Sequence, residues 1–318
     1  MAALLEINHL KKYFKSPRGT VHAVDDVSFS VDEGTTVGLV GESGCGKSTL
    51  GRTIVHLAEP TDGQMLFCGQ DVTHLNKKEL IEFRKSAQII FQDPYSSLDP
   101  RQTVQDIISE PLQLAGYSKE QMKARVQELL DTVGIEKRLR MSYPHELDGG
   151  RRQRVGIARA LALNPKFVVC DEPVSSLDVS IQAQILNLLM DLQEEMGLTY
   201  LFITHDMSVV RHISNRICVM YLGQMVEMCE KQELFDHPLH PYTKALLSAI
   251  PTTDIHAEKN RILLKGEIKS PINPGPGCRF ASRCLYACEQ CNQAVGLQEV
   301  RPGHFVACAK VKELNGLD

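Results

Sequence analysis

No stretch of this chain is apolar enough, for long enough, to cross a bilayer. A spanning helix needs about 20 mostly apolar residues, and no run approaches that. Met1 to Leu10 lacks the basic start and the long apolar core of a secretory leader. The expectation is a soluble, cytoplasmic protein that reaches a membrane only through a partner. Excess basic charge is missing too. Lys and Arg number 35 against 39 Asp and Glu, a net charge of −4, which does not recommend nucleic acid as the main partner. Internal repeats and low-complexity tracts are absent, which excludes a repeat array. What remains is ordinary globular composition, 43% hydrophobic and 23% charged over 318 residues, with room for one large domain and an appendage.

Gly41 to Thr49 reads G-E-S-G-C-G-K-S-T and satisfies G-x-x-x-x-G-K-[ST] at every fixed position. Thr36 to Val40 before it reads as a buried strand, and a helix starts near Thr49. Gly41, Gly44 and Gly46 let the backbone curl around an anion, with the amides of Ser43 and Cys45 among those free to point inward. The helix N-terminus adds partial positive charge beneath phosphates. Lys47 is placed to reach β- and γ-phosphates, and Ser48 to ligate Mg²⁺.

Leu4 to Phe14 and Val21 to Val31 read as strands, the second interrupted at Asp25-Asp26. Tyr13 or Phe14 is a candidate to stack on an adenine ring, the alternative being an ordinary buried aromatic. A short strand over Ala87 to Phe91 ends in Gln92, and a loop runs from Asp93 to Val104. Helices are expected over Val104 to Leu114, Lys119 to Val133 and, with a basic start, Gly149 to Leu163. Phe167 to Cys170 is an apolar strand running into Asp171-Glu172, and Val179 to Met196 is a long amphipathic helix. A strand over Thr199 to Thr204 ends at His205, and Ile217 to Met228 reads as a hairpin. Strands alternating with helices imply a parallel α/β sheet with ligands where the strands end. At such a tip Asp171 is suited to hold Mg²⁺ through water, and Glu172 to orient or deprotonate the attacking water.

Taken together, the loop at Gly41, Gln92, L-D-G-G-R-R-Q-R from Leu147, V-C-D-E-P, S-S-L-D from Ser175 and His205 resemble the ATP-binding subunit of an ABC transporter over roughly residues 4 to 250. F-Q-D-P-Y-S-S-L-D-P-R-Q-T-V, H-P-L-H-P-Y-T-K-A-L-L-S-A-I-P and a cysteine-bearing tail look most like the ATPases of dipeptide and oligopeptide importers. The resemblance implies a P-loop NTPase cassette of α/β class over residues 1–250, with a RecA-like core, an antiparallel β subdomain and a helical insert at about 95–163. A C-terminal extension over 251–318 follows. It implies ATP and Mg²⁺, with Ser48, Gln92 and Asp171 serving the metal. Tyr13 would stack on adenine, Glu172 would be the base, His205 would contact the γ-phosphate, and Asp178 would signal across a dimer. Each ATP would lie between one subunit's phosphate loop and the other's signature. The implied partners are a second ATPase subunit, two membrane permeases touching the region from Gln92 to Gln105 and the helical insert, and indirectly a solute-binding protein. The implied location is the cytoplasmic face of a cell membrane.

The signature departs from the family's Leu-Ser-Gly-Gly-Gln. Asp148 replaces a serine that donates to the γ-phosphate, and a carboxylate there is unfavourable. Arg151, after Gly149 and Gly150, offers compensation. An asymmetric heterodimer follows as the expectation, with a slow site where Asp148 is borrowed.

Past Pro251 the composition changes. Thr252 to Lys259 is polar and linker-like, and Ser270 to Gly277, with three prolines and two glycines, excludes helix. Of ten cysteines, five lie in the last 41 residues. Cys278, Cys284, Cys291 and Cys308 are spaced C-x5-C-x6-C-x16-C, with Cys288 as an extra; this is not the paired spacing of a zinc ribbon. In the importer family the matching four cysteines look like an iron–sulfur element, and four thiolates suit a [4Fe–4S] cluster. Four-cysteine zinc and free thiols are the alternatives. A tail this short is expected to lack a core and to need such a staple. Two rival functions stand beside the importer: a non-transport ABC ATPase acting on nucleic acid, and a metal-sensing module regulated by ATP.

Overall fold

A computed structural model describes residues 3–250, 261–264, 266 and 270–317. The linker-like stretch Thr252 to Lys259 lies outside them. In chain order, β1 (Ala3–Ser16) and β2 (Gly19–Asp32) are long strands, followed by β3 (Thr36–Val40) and α1 (Lys47–Ile54). Next come β4 (Asp62–Phe67), β5 (Gln70–Asp71), α2 (Lys77–Ser86) and β6 (Ala87–Ile90). Helices α3 (Val104–Leu114), α4 (Lys119–Thr132) and α5 (Gly149–Leu161) lead to β7 (Phe167–Asp171), α6 (Val179–Met196) and β8 (Thr199–Thr204). Then follow α7 (Met207–Ile213), β9 (Arg216–Tyr221), β10 (Gln224–Glu230), α8 (Lys231–Asp236) and α9 (Pro241–Ser248). The tail carries β11 (Gln298–Arg301), β12 (His304–Val306) and α10 (Val311–Asn315).

The described residues form two compact units. One contains Asp32–Thr35 and His74–Ile203; the other contains Ala3–Val31, Thr36–Thr73 and the described residues from Thr204 on. In the first, β6, β7 and β8 run parallel, with Ala87 opposite Phe167 and Phe167 opposite Thr199. Every residue of β7 is buried, as the continuous apolar run requires. Helix α3 packs against α4 and α5, and Ile107, Ile108, Leu130 and Ile157 on these helices are fully or nearly fully buried. Capping boxes at Thr103–Asp106 and Ser118–Gln121 set where α3 and α4 begin. Helix α6 starts on an Asp178 cap and ends at Gly197, whose φ of +65° only glycine adopts without strain.

The second unit holds two sheets. One has the order β2-β1-β4-β5, with Leu5 opposite Phe67 and a register break between Asn8 and Lys11. Strand β2 runs through Asp25-Asp26 without stopping; the expected interruption is only a local twist, with Asp26 at φ +60°. The other sheet is mixed, parallel where strands alternate with helices and antiparallel at the hairpin expected over Ile217 to Met228. β3 and β9 are parallel, but β10 returns antiparallel and takes β12 and then β11 at its outer edge. The short link across Leu222-Gly223 forces that reversal, because parallel neighbours need a long crossover.

The tail is therefore not without a core. Val306 pairs with Glu227 of β10 and is fully buried. Phe280 is buried against Tyr221 and Tyr242, with ring centroids 5.2 and 5.3 Å apart. Glu227 and His304, both completely buried, bond at 2.8 Å. The cysteine spacing suggests a staple, while the apolar residues that dock the tail are scattered singly and carry no period.

Candidate functional site

The phosphate loop lies between β3 and α1. Gly46 caps α1 at φ +107°, and Gly44 has φ +77°. A β-carbon on Gly46 would stand 2.0 Å from the Ala23 carbonyl oxygen, so backbone conformation and space both demand glycine here. Lys47 is 3% exposed. Its Nζ donates to the carbonyls of Gly41 at 2.7 Å and Glu42 at 3.1 Å, with the Cys45 sulfur 3.9 Å away. Burial pushes the Cys45 thiol up, so it stays a neutral packing group. Ser43 is exposed, while Ser48 and Thr49 are half-buried at the start of α1.

Tyr13, on β1 in the same unit, is half-buried. Its ring stacks on His22 with centroids 4.0 Å apart, and its hydroxyl donates to Asp25. Burial first, and Asp25 second, hold the phenol far above its ordinary range. Asp25 also receives the Arg279 guanidinium from the tail, whose other arm binds the Leu222 carbonyl. His205 is exposed just after β8, which removes the alternative of a buried core histidine.

In the other unit β7 delivers Asp171 fully buried and Glu172 8% exposed at its tip. Glu172 has φ +47°, a left-handed conformation that is uncommon for a non-glycine residue and concentrates at functional sites. Its amide donates to the Ile203 carbonyl at 2.9 Å. Gln92, exposed after β6, donates from Nε2 to Glu172 Oε2 at 3.1 Å. Parallel pairing of β6 with β7 ends both strands at the same edge, which brings together two residues 80 positions apart.

The signature opens α5. Asp148 is its N-cap and accepts the Arg151 amide at 2.8 Å; the Arg151 guanidinium returns to the same carboxylate at 3.1 Å and to Glu136 at 3.3 Å. The negative charge thus sits on a helix N-terminus beside a cation, where it is favourable. Gly150 is required by packing: a β-carbon would fall 2.7 Å from Ile181 Cγ2. A β-carbon on Gly149 would stand 3.2 Å from Leu177. Asp178 caps α6 through the Ile181 amide at 3.0 Å.

The four spaced cysteines come together in the tail. Cys278, Cys284, Cys291 and Cys308 line one cavity of about 20 Å³, with Phe280 and Tyr286, room for one water-sized body. Cys288 is not among its lining residues, though its sulfur lies 3.8 Å from that of Cys291. The Tyr286 amide donates to the Cys284 sulfur at 3.4 Å. Burial pushes Cys278 up to about 11, and raises Cys284 and Cys308 as well. Among the described residues, no group of three or more His, Cys, Asp and Glu is arranged to hold a metal ion.

Spacing along the chain concealed two arginine contacts. Arg283 binds Glu42 of the phosphate loop, and Arg279 binds Asp25. Their one sequence signal is two basic residues inside the cysteine spacing.

The ABC transporter family profile matches residues 24–175, and the oligopeptide/dipeptide transporter C-terminal region profile matches residues 226–291. The oligopeptide transport ATP-binding protein AppF of Bacillus subtilis (strain 168) is 52% identical over 317 residues, covering 96% of each chain. OppF of the same organism, also named an oligopeptide transport ATP-binding protein, is 53% identical over 314 residues, covering 97% of each. Among solved structures, the dimeric post-hydrolysis state of the ATP-binding cassette MJ0796 bound to ADP and Pi superposes with TM-score 0.66. It is 31% identical and covers 71% of this chain and 98% of that one. A cassette from Clostridium perfringens, cbiO1, part of the ABC transporter complex cbiONQ, gives 0.67 at 28% identity, covering 74% and 92%. On this evidence the chain belongs to the ATP-binding subunits of oligopeptide and dipeptide ABC transporters.

Proposed function

We propose that this subunit hydrolyses ATP to energise peptide import, with Glu172 as the base. The observation that carries the assignment is the Gln92–Glu172 contact at 3.1 Å, on a glutamate held in a left-handed conformation. A backbone kept out of its preferred region orients the carboxylate before any ligand arrives. Lys47 and the amides of Gly41 to Thr49 take the phosphates, Ser48 and Asp171 serve Mg²⁺, Tyr13 meets the adenine, and His205 meets the γ-phosphate. Gln92 orients Glu172 and reports on the water and the metal. Bound Mg²⁺ offsets phosphate charge. Glu172 takes a proton from the attacking water as the γ-phosphorus–oxygen bond to ADP breaks, and phosphate leaves. Glu172→Gln in the assembled transporter is expected to keep ATP binding and to lower turnover by about 10²- to 10⁴-fold. Turnover near that of the unaltered complex removes Glu172 as base.

The partners this reading requires are two membrane permeases, contacted through the region from Gln92 to Gln105 and the helical insert, and an extracytoplasmic solute-binding protein acting on them. The site of action is the cytoplasmic face of the membrane, by peripheral attachment; no helix among the described residues is long and apolar enough to span it. A heterodimer with a second ATPase chain suits the Asp148 signature, whose carboxylate is already engaged by Arg151. Asp148→Ser is expected to hold or raise ATPase activity of the complex, and a large fall sinks the asymmetry. Nucleic acid is not favoured as a partner, given the −4 net charge. The domain division we assign is the cassette over residues 1–250, with its helical subdomain at about 95–163, and the cysteine-bearing extension over 251–318.

A [4Fe–4S] cluster is the metal reading we favour for the tail. Four thiols surround one cavity, and a backbone amide already points at the Cys284 sulfur. The cavity of about 20 Å³ is far smaller than a cubane, so the four thiols would have to move apart to hold one. Cys278, Cys284, Cys291 and Cys308 would hold it, and its contribution would be structural.

A further inference from the structure

The turn from Cys278 to Cys284 reaches the phosphate loop. The amides of Ala281, Arg283 and Cys284 bond back to the carbonyls of Cys278, Phe280 and Ala281 at 3.1, 2.9 and 3.3 Å, closing a tight turn. Phe280 in its middle is anchored edge-on against Tyr221. That anchor aims Arg283 at Glu42, the second residue of the loop. The grip has two points: Nη1 donates to Oε2 at 2.5 Å and Nη2 to Oε1 at 3.1 Å. The Arg283 side chain is 9% exposed and that of Glu42 26%. A bidentate fork whose guanidinium is nearly out of solvent fixes direction as well as distance.

Glu42 is held at two further points. Its amide donates to the Tyr242 hydroxyl at 2.9 Å, and its carbonyl accepts from Lys47 Nζ at 3.1 Å. The lysine that meets the β- and γ-phosphates is thus placed partly by the residue whose side chain Arg283 grips.

We propose that Arg283 is a positioning residue for the ATP phosphates, acting through Glu42 on the loop from Gly41 to Thr49. The cysteine-bearing tail then forms part of the nucleotide site instead of a remote appendage. This builds on the ATP-binding assignment made above.

The test is equilibrium binding of Mg-ATP, Mg-ADP and AMP to the full-length chain. Arg283→Met is expected to raise the Kd for ATP and ADP about tenfold, the scale of one charge-assisted contact. AMP lacks the outer phosphates and is expected to stay within about twofold. Glu42→Gln disturbs a partly exposed residue without opening a buried site, and is expected to reproduce the effect. The double variant should be no worse than either single one, because both remove the same link. Arg283→Lys keeps the charge without the fork and should recover only part of the affinity. Unchanged ATP affinity in Arg283→Met, equal weakening of all three nucleotides, or multiplying effects in the double variant overturns the proposal. An unaltered chain that binds no ATP overturns the parent assignment instead, and does so before any variant is made.

Discussion

Replacing His304 with alanine tests what docks the tail. The His304 side chain and that of Glu227 have no exposure. Nε2 bonds Glu227 at 2.8 Å, and Nδ1 bonds Glu233 at 3.1 Å, where Arg301 also arrives at 3.0 Å. Glu227 accepts two further bonds, from the amides of Leu239 at 2.7 Å and His240 at 3.0 Å, and so ties the start of α9 to β10. Truncation leaves those two donors but removes the imidazole from a buried carboxylate. Breaking a buried pair from one side costs about 3–5 kcal/mol, and the two remaining amides place the expected loss at about 3 kcal/mol. In a unit of this size that is a fall of about 6–12 °C in Tm. Burial pushes His304 down, but its bonds to Glu227 and Glu233 outweigh that and raise its pKa. A raised imidazole contributes fully below about pH 6.5, its unfolded value, and the contribution is lost as pH rises through the higher folded value. The gap between the unaltered chain and His304→Ala should therefore be widest near about pH 6 and shrink toward about pH 9. Thermal unfolding by circular dichroism at both pH values reads this directly. Equal Tm values at the lower pH, or a gap that widens with pH, refutes the reasoning.

Two further outcomes are expected. Gly46→Ala should abolish ATP binding and cost more than about 1 kcal/mol, since a β-carbon meets the Ala23 oxygen at 2.0 Å in a left-handed backbone; nucleotide titration with a melting curve checks both. If the tail holds the proposed cluster, Cys308→Ser should lose iron from anaerobically purified protein while Cys288→Ser retains about four irons per chain, because only the former lines the cavity; iron and sulfide analysis with a visible spectrum decides.

The readable parts of this protein are those whose meaning is local. The loop at Gly41, the apolar run ending in Asp171-Glu172 and the span of α6 depend on residues close together in the chain, so glycine spacing, apolar runs and amphipathic spacing were enough to place them. The hairpin of β9 and β10 was legible for the same reason, its link being two residues long. The tail's docking was not. Phe280, His304 and Val306 are single residues without a period, and their burial depends on partners far away in sequence.

The sequence alone determined the chemistry on offer: a phosphate loop, an acidic strand tip, a signature with aspartate in place of serine, and four spaced thiols. Tertiary structure decided which of these touch. Glu172 gains its Gln92 partner because β6 and β7 run parallel and end together. Asp148 caps the helix it begins and pairs with that helix's Arg151. Arg283 meets Glu42 across 241 positions, a pairing no short-range pattern encodes. Contacts of that span form only when the chain between them has folded and closed the loop, and the entropy of closure is met by the burial of the whole unit, not by the pair itself.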